Sequence, residues 1–200
     1  MKMMSGLLIA FEGLDQSGKH TQAELLRDHF KQQGRKSRLV SFPDYATSIG
    51  EEIARALQGE REYGPDVMQL LYVANRYERK PDLERWLDGG LALVCDRYTA
   101  SSVAYGEAQG LDPGWLTDVQ KFLPQPTLTV MLDIAPETAV ARKAADRDRY
   151  ERDLAMLARV RESYRRQAAE HSWVVIDGEQ TKDAVATEIV SVVASRLGPP

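Results

Sequence analysis

Five short apolar runs, each closed by a polar or turn residue, recur along the chain: Leu7–Glu12, Ser37–Phe42, Leu91–Asp96, Thr127–Asp133 and Trp173–Asp177. Runs of this length without strict alternation predict strands covered on both faces. Between them the apolar positions fall three and four apart. Ala23, Leu26 and Phe30 precede Gly34; Ile49, Ile53, Ala56 and Leu57 precede Gly59; a helix from about Asp66 toward Arg79 has Val67, Leu70, Leu71 and Ala74 as its inner stripe. Pro81 is expected to break or restart that third helix, and Gly89-Gly90 to end the stretch beyond it. Further helices are expected at Ala100–Ala108, Pro113–Phe122, Pro136–Ala144, Glu151–Glu170 and Lys182–Arg196. Strand and helix alternate throughout with no repeat and no linker. The pattern predicts one α/β domain over residues 1–200, a doubly wound parallel sheet with helices on both faces. Ligands bind such sheets at the carboxyl ends of the strands.

Composition narrows the classes. Hydrophobic residues are 43% and charged residues 28%, which argues against a disordered chain. One cysteine, Cys95, excludes an internal disulfide framework and a multi-cysteine zinc site, and the three histidines are scattered. A reducing, cytoplasmic location fits best. The longest early apolar run, Leu7 to Phe11, is far short of a membrane span or signal peptide. The net charge of −4 argues against a general nucleic-acid binder. Its distribution is uneven: residues 142–166 carry nine Arg or Lys against five Asp or Glu. That segment suits an anionic ligand or a solvated helix face.

The first strand runs into Gly13-Leu14-Asp15-Gln16-Ser17-Gly18-Lys19-His20, and a helix comes next. G-x-x-x-x-G-K between strand and helix is a phosphate-binding loop. Its glycines let backbone N–H groups turn inward, the helix points its positive end at the same place, and Lys19 adds a full charge. The position that normally carries Ser or Thr for Mg²⁺ is His20, with Thr21 next. Mg²⁺ prefers oxygen ligands. Either Thr21 takes that part, or phosphates, waters and carboxylates hold the metal, with Asp15 and Asp96 as candidates. Asp96 ends an apolar strand and so does its rival Asp133.

Phe11-Glu12-Gly13-Leu14-Asp15, Gly18-Lys19, Thr21-Gln22, Phe42-Pro43, Ala74-Asn75-Arg76 and Asp96-Arg97-Tyr98, with Ser101 and Ala104-Tyr105, resemble the thymidylate kinase family in order and spacing over most of the chain. The resemblance implies a P-loop three-layer sandwich with a five-stranded parallel sheet and a short lid. It also implies transfer of the γ-phosphoryl group of ATP to dTMP with Mg²⁺, in a homodimer. ATP would lie on Gly13 to Thr21 and reach Arg142. Arg97 would bind the acceptor phosphate, a bidentate task that suits a guanidinium. Tyr72 and Arg76 lie four apart on one helix face; by resemblance they stack on the base and bond its carbonyl. Ser101 and Ser102 would meet the base edge, and Tyr105 the sugar where a 2′-hydroxyl would sit. Phe42 belongs to the same acceptor set. Many relatives carry an arginine soon after Phe42-Pro43, where this chain has Asp44-Tyr45; the Tyr45 hydroxyl can donate one bond.

By the same resemblance the lid, about residues 142–152, closes over the phosphates. Gln16 leaves the loop neutral, so the lid is expected to supply the arginine. Arg147 and Arg149 are the first choices and Arg142 the third, with Tyr150 among the acceptor contacts. Such an arginine is worth about 10³–10⁵ in rate. Kinases for other nucleoside monophosphates, or a non-catalytic nucleotide switch, are the alternatives. The Asn-Lys-x-Asp motif of guanine readers is absent.

Overall fold

The computed structural model describes residues 6–142 and 150–198. Five strands, β1 (Leu7–Gly13), β2 (Ser37–Ser41), β3 (Ala92–Asp96), β4 (Leu128–Asp133) and β5 (Val174–Asp177), form one parallel sheet. Their order is β2-β3-β1-β4-β5. Eight helices complete the described elements: α1 (Lys19–Gln32), α2 (Ser48–Leu57), α3 (Pro65–Asp88), α4 (Thr99–Ala108), α5 (Pro113–Asp118), α6 (Pro136–Arg142), α7 (Tyr150–Glu170) and α8 (Lys182–Leu197). All five expected strands are present to within a residue at each end.

Side-chain alternation along β1 sorts the two faces. Ile9 and Phe11 enter a cluster with Ala23, Leu26 and Phe30 of α1 and Val185 and Ile189 of α8. Leu8 and Ala10 point the other way, toward Leu83 of α3 and Tyr98. Glu12 shares their face, where α4 and α7 pack together. A third cluster there joins Ala104 of α4 to Val160 and Tyr164 of α7. Hydrophobic residues thus cover both faces, as the period-two geometry of a central strand requires. Phe11 stands opposite Asp96 of β3 in register, so the phosphate loop and the acidic strand end emerge side by side.

Three expectations from the sequence need correction. The buried face of α3 runs through Gln69, Val73 and Arg76, so Val67 and Leu70, expected on the inner stripe, are exposed. Pro81 does not interrupt α3, which continues to Asp88. A helix-interior proline loses one bond and crowds the preceding turn, at about 3 kcal/mol. Contacts on both sides offset this: Leu83 is fully buried, the Tyr77 hydroxyl donates to Val119 O at 3.0 Å, and Trp86 lies under the Arg38 and Arg79 guanidinium groups. The helix expected at Pro113–Phe122 stops at Asp118. Beyond it, Gln120, Lys121 and Leu123 donate to carbonyls three residues back, and Pro124 disfavours helical backbone at the residue before it.

Candidate active site

The phosphate loop is shaped by backbone that few residues adopt. Gly13 has φ 135° and Gly18 φ 89°. A Cβ on Gly13 would stand 2.4 Å from Leu132 O, so both steric and torsional limits select glycine there. Gln16 also adopts positive φ, at 65°, a conformation that costs about 1–3 kcal/mol and persists where its surroundings enforce it. The loop closes around Lys19, which is 5% exposed. Its ammonium donates to Leu14 O at 2.5 Å and to Ser17 Oγ at 3.3 Å. Burial, with Arg97 nearby, pulls the Lys19 pKa down to about 7. Arg142, at the end of α6, donates to Gln16 O at 3.1 Å and to Gly178 O at 3.3 Å. It therefore rests on the loop from outside.

On the other side of the loop, Arg97 comes directly after β3 with φ 65°, its N–H bonded to Phe11 O at 3.0 Å. The guanidinium pairs with Asp15 Oδ1, donates to Ser101 Oγ at 3.2 Å and lies over the Tyr105 ring at 5.3 Å. The Tyr105 hydroxyl donates to Asp15 Oδ2 at 3.2 Å. Burial opposes charge on Asp15, yet Arg97 and Lys19 hold its carboxyl below the usual range. Beneath this group lies Glu12, fully buried. It accepts from Tyr98 N at 2.9 Å, Ser101 Oγ at 2.6 Å and Tyr164 OH at 3.2 Å. Burial pushes the Glu12 pKa upward. Glu12 thus braces the segment that carries Arg97 rather than facing a ligand.

A cavity of about 350 Å³ opens beside Arg97 and Asp15. Phe42, Tyr45, Tyr72, Arg76, Ser101, Ser102 and Tyr105 line it, together with Pro43, Leu57, Met68, Gln69 and Gln109. Tyr72 and Arg76 come from one face of α3, and the Arg76 guanidinium donates to Ser102 Oγ. Desolvation moves both ionisations, the Tyr72 pKa up to about 12 and that of Arg76 down to about 10. Tyr45 is half exposed at the cavity edge. Its turn is fixed by Asn75, whose amide accepts from Asp44 N at 2.7 Å and donates to Asp44 O at 3.1 Å and Thr47 Oγ1 at 2.8 Å. Asp44 itself pairs with Arg79 at 3.2 Å, so its carboxylate serves the turn. A larger cleft lies under α4 and α7 and is lined by neither Lys19 nor Arg97.

Strand parity separates the two rival carboxylates. Asp96 faces α1, where His20 Nδ1 lies 3.0 Å from its Oδ2. Asp133 faces α7 and receives Arg161 and Arg165, each at 2.6 Å; it is a structural anchor. Asp15 has both oxygens engaged. Among the described residues no group of three or more His, Cys, Asp and Glu gathers around a metal position. Mg²⁺ in phosphoryl-transfer sites needs only one or two carboxylates besides phosphate oxygens and waters. Asp96 beside the loop meets that need, and His20 contributes no oxygen. Arg147 and Arg149 lie outside the described residues, and Tyr150 is described only as the first residue of α7. Tyr164 and Gln69 gave little sign of their place in the sequence. Each reads as an ordinary helix residue until its long-range neighbours are known.

The thymidylate kinase family model matches residues 11–189. The chain belongs to the thymidylate kinase family. It is 33% identical to thymidylate kinase of Schizosaccharomyces pombe, covering 97% of this chain and 94% of that one. It is 33% identical to the Dictyostelium discoideum thymidylate kinase, covering 96% and 86%. The solved Candida albicans thymidylate kinase, described as having broad substrate specificity, superposes with a TM-score of 0.82 at 29% identity, covering 97% of this chain and 93% of that one. The five-stranded parallel sheet with helices on both faces is therefore the family's P-loop α/β fold.

Proposed function

We propose that this family member transfers the γ-phosphoryl group of ATP to dTMP, giving dTDP and ADP. The observation that carries the reading is the juxtaposition of a phosphate loop around Lys19 with a separate cavity whose mouth is Arg97 and Asp15 and whose wall holds Tyr72 and Arg76. The loop amides and Lys19 hold the donor tail, with Arg142 beside them. Arg97 exchanges Asp15 for the acceptor phosphate, and Tyr45 adds a hydroxyl in place of a second cation. Asp15 and Tyr105 then meet the sugar, Tyr72 stacks on the base, and Arg76 with Ser102 bonds its edge. Ser101 keeps Arg97 in place. Phe42 closes the apolar side.

A phosphate monoester has a second pKa of about 6, so its attacking oxygen needs no strong base near neutrality. The task is alignment and charge neutralisation. Mg²⁺, held by phosphate oxygens with Asp96 and either Thr21 or water, would neutralise charge on the donor oxygens. Arg147 and Arg149 of the lid are our choice for the cation that reaches the transferring group and excludes water.

ADP release measured with dTMP, dUMP, dCMP and UMP tests the reading. Strong stimulation by dTMP supports it; ATP hydrolysis indifferent to every acceptor would overturn it in favour of a nucleotide switch. The panel is apt because one solved relative is described as broad in specificity. We also propose a homodimer, supported by exposed Leu57, Val67 and Leu70 on α2 and α3, and a cytoplasmic setting, supported by the unpaired, buried Cys95. No helix among the described residues is long and apolar enough to cross a membrane.

A further inference from the structure

Beside the phosphate loop, one nitrogen and one oxygen stand at the separation of neighbouring ligands on a metal ion. Asp96 ends β3, and His20 is the second residue of α1, next to Lys19. Along β3, Val94 packs toward α1 and Cys95 toward α3, so Asp96 returns to the α1 side. There His20 Nδ1 lies 3.0 Å from Asp96 Oδ2. Two cis ligands about 2.1 Å from an octahedral ion are also about 3.0 Å apart. Both side chains reach solvent, His20 at 59% and Asp96 at 16% exposure, so an ion has access to the pair. Asp96 also acts through space on the Lys19 ammonium, which sets the pair close to the phosphate-binding end of the loop. The far side of the ring meets a second carboxylate, with His20 Nε2 3.8 Å from Glu24 Oε2 one turn along α1. A carboxylate behind the second nitrogen is the usual setting of a ligating imidazole.

This donor set does not suit Mg²⁺. A hydroxyl at position 20 would add an oxygen, the ligand that Mg²⁺ demands. His20 instead offers a nitrogen and holds an oxygen of Asp96 beside it. Imidazole favours the later first-row divalent ions, while carboxylate and phosphate oxygens accept those ions as well as Mg²⁺. Two side chains supply only part of a coordination shell. The loop amides and Lys19 hold phosphate oxygens next to them, and water completes the set.

We propose that His20 Nδ1 and Asp96 Oδ2 together bind the cation that accompanies the nucleotide, and that the site prefers a divalent first-row transition ion such as Mn²⁺ to Mg²⁺. The inference rests on the donor reading of the phosphate loop. An ionised carboxylate only accepts, so in the free protein Nδ1 carries the ring proton toward Asp96. The transition ion takes the place of that proton, and the neutral ring then carries its proton on Nε2, facing Glu24. Mg²⁺ gains nothing from the imidazole and must draw Asp96 away from it.

The test uses the full chain with Mn²⁺ and ADP, read by electron spin-echo spectroscopy. The expected result is the nitrogen coupling of a directly bound imidazole. Isotopic replacement of the histidine nitrogens should change that coupling, which separates the ring from the nitrogens of adenine, and His20→Thr should abolish it. His29→Gln and His171→Gln should keep it, so the assignment to His20 stands even if the Thr variant folds poorly. Binding of each ion to the protein–ADP complex gives a second readout. The ratio of the Kd for Mg²⁺ to that for Mn²⁺ should fall about tenfold or more in His20→Thr, since even a residue that only orients a ligand changes metal affinity by about 10–100-fold. A complex that holds Mn²⁺ and ADP but shows no histidine coupling would overturn the proposal. So would an unchanged ratio in His20→Thr. If ADP does not bind, the donor reading falls by itself, and the same spectrum taken with Mn²⁺ and inorganic triphosphate still decides the part played by His20.

Discussion

Lys19 is held where its charge is costly. With its pKa drawn down to about 7 by burial, much of it is neutral in the free protein near pH 7, and a bound triphosphate restores the charge. ATP binding should therefore take up close to one proton at pH 8.5 and about a tenth of one at pH 6. Titration calorimetry in buffers of different ionisation enthalpy measures this, and Lys19→Met should abolish the uptake. In the folded state the same side chain loses its proton near pH 7, but in the unfolded state only near its ordinary 10.5. The stability that Lys19→Met gains over the wild type should then be greatest below pH 7 and shrink as pH rises toward 10.5. Arg97 offers the complementary case. Arg97→Ala removes the acceptor cation and leaves Asp15 unpaired, so kcat/KM for dTMP should fall by at least about 10²-fold while the Kd for ATP changes little. Lys19, Asp15 and Arg97 were legible in the sequence because the motifs that carry them are local. Glu12 was legible only as a letter of the motif around the loop, and Gln69 and Tyr164 not at all, since their meaning arises from neighbours on other elements.

At the scale of elements, strand parity decides which carboxylate serves which layer. Asp133 is turned toward α7 and ties Arg161 and Arg165 to the end of β4. Asp133→Ala should cost about 2 kcal/mol, a fall of roughly 4–8 °C in Tm for a chain of this size. Turnover below the transition should be preserved, because the Asp133 carboxylate is bonded to Arg161 and Arg165 and to neither Lys19 nor Arg97. The five strands were readable as apolar runs because burial on both faces leaves an unbroken signal. The end of α5 was not, because it depends on three-residue turns ahead of Pro124. The passage of α3 through Pro81 was hidden for a related reason: the contacts that hold Tyr77, Leu83 and Trp86 come from distant parts of the chain.

Across the whole molecule, donor and acceptor sites meet at the carboxyl ends of β1 and β3, with His20 of α1 placed against Asp96. His20→Thr should free that carboxylate and supply a hydroxyl. The Mg²⁺ concentration for half-maximal rate should then fall several-fold, read by metal titration at saturating ATP; an unchanged value would mean that the imidazole never competed for Asp96. Everything in this layout hangs on β1, where Phe11 feeds one side of the sheet and its neighbour Glu12 the other. Such a segment can accept new letters but not a new length. Removing one residue from Leu7 to Phe11 would send each side chain ahead of the gap to the opposite layer, into a space shaped for its neighbour, so natural variation here should consist of replacements, with insertions and deletions confined to the turns between elements.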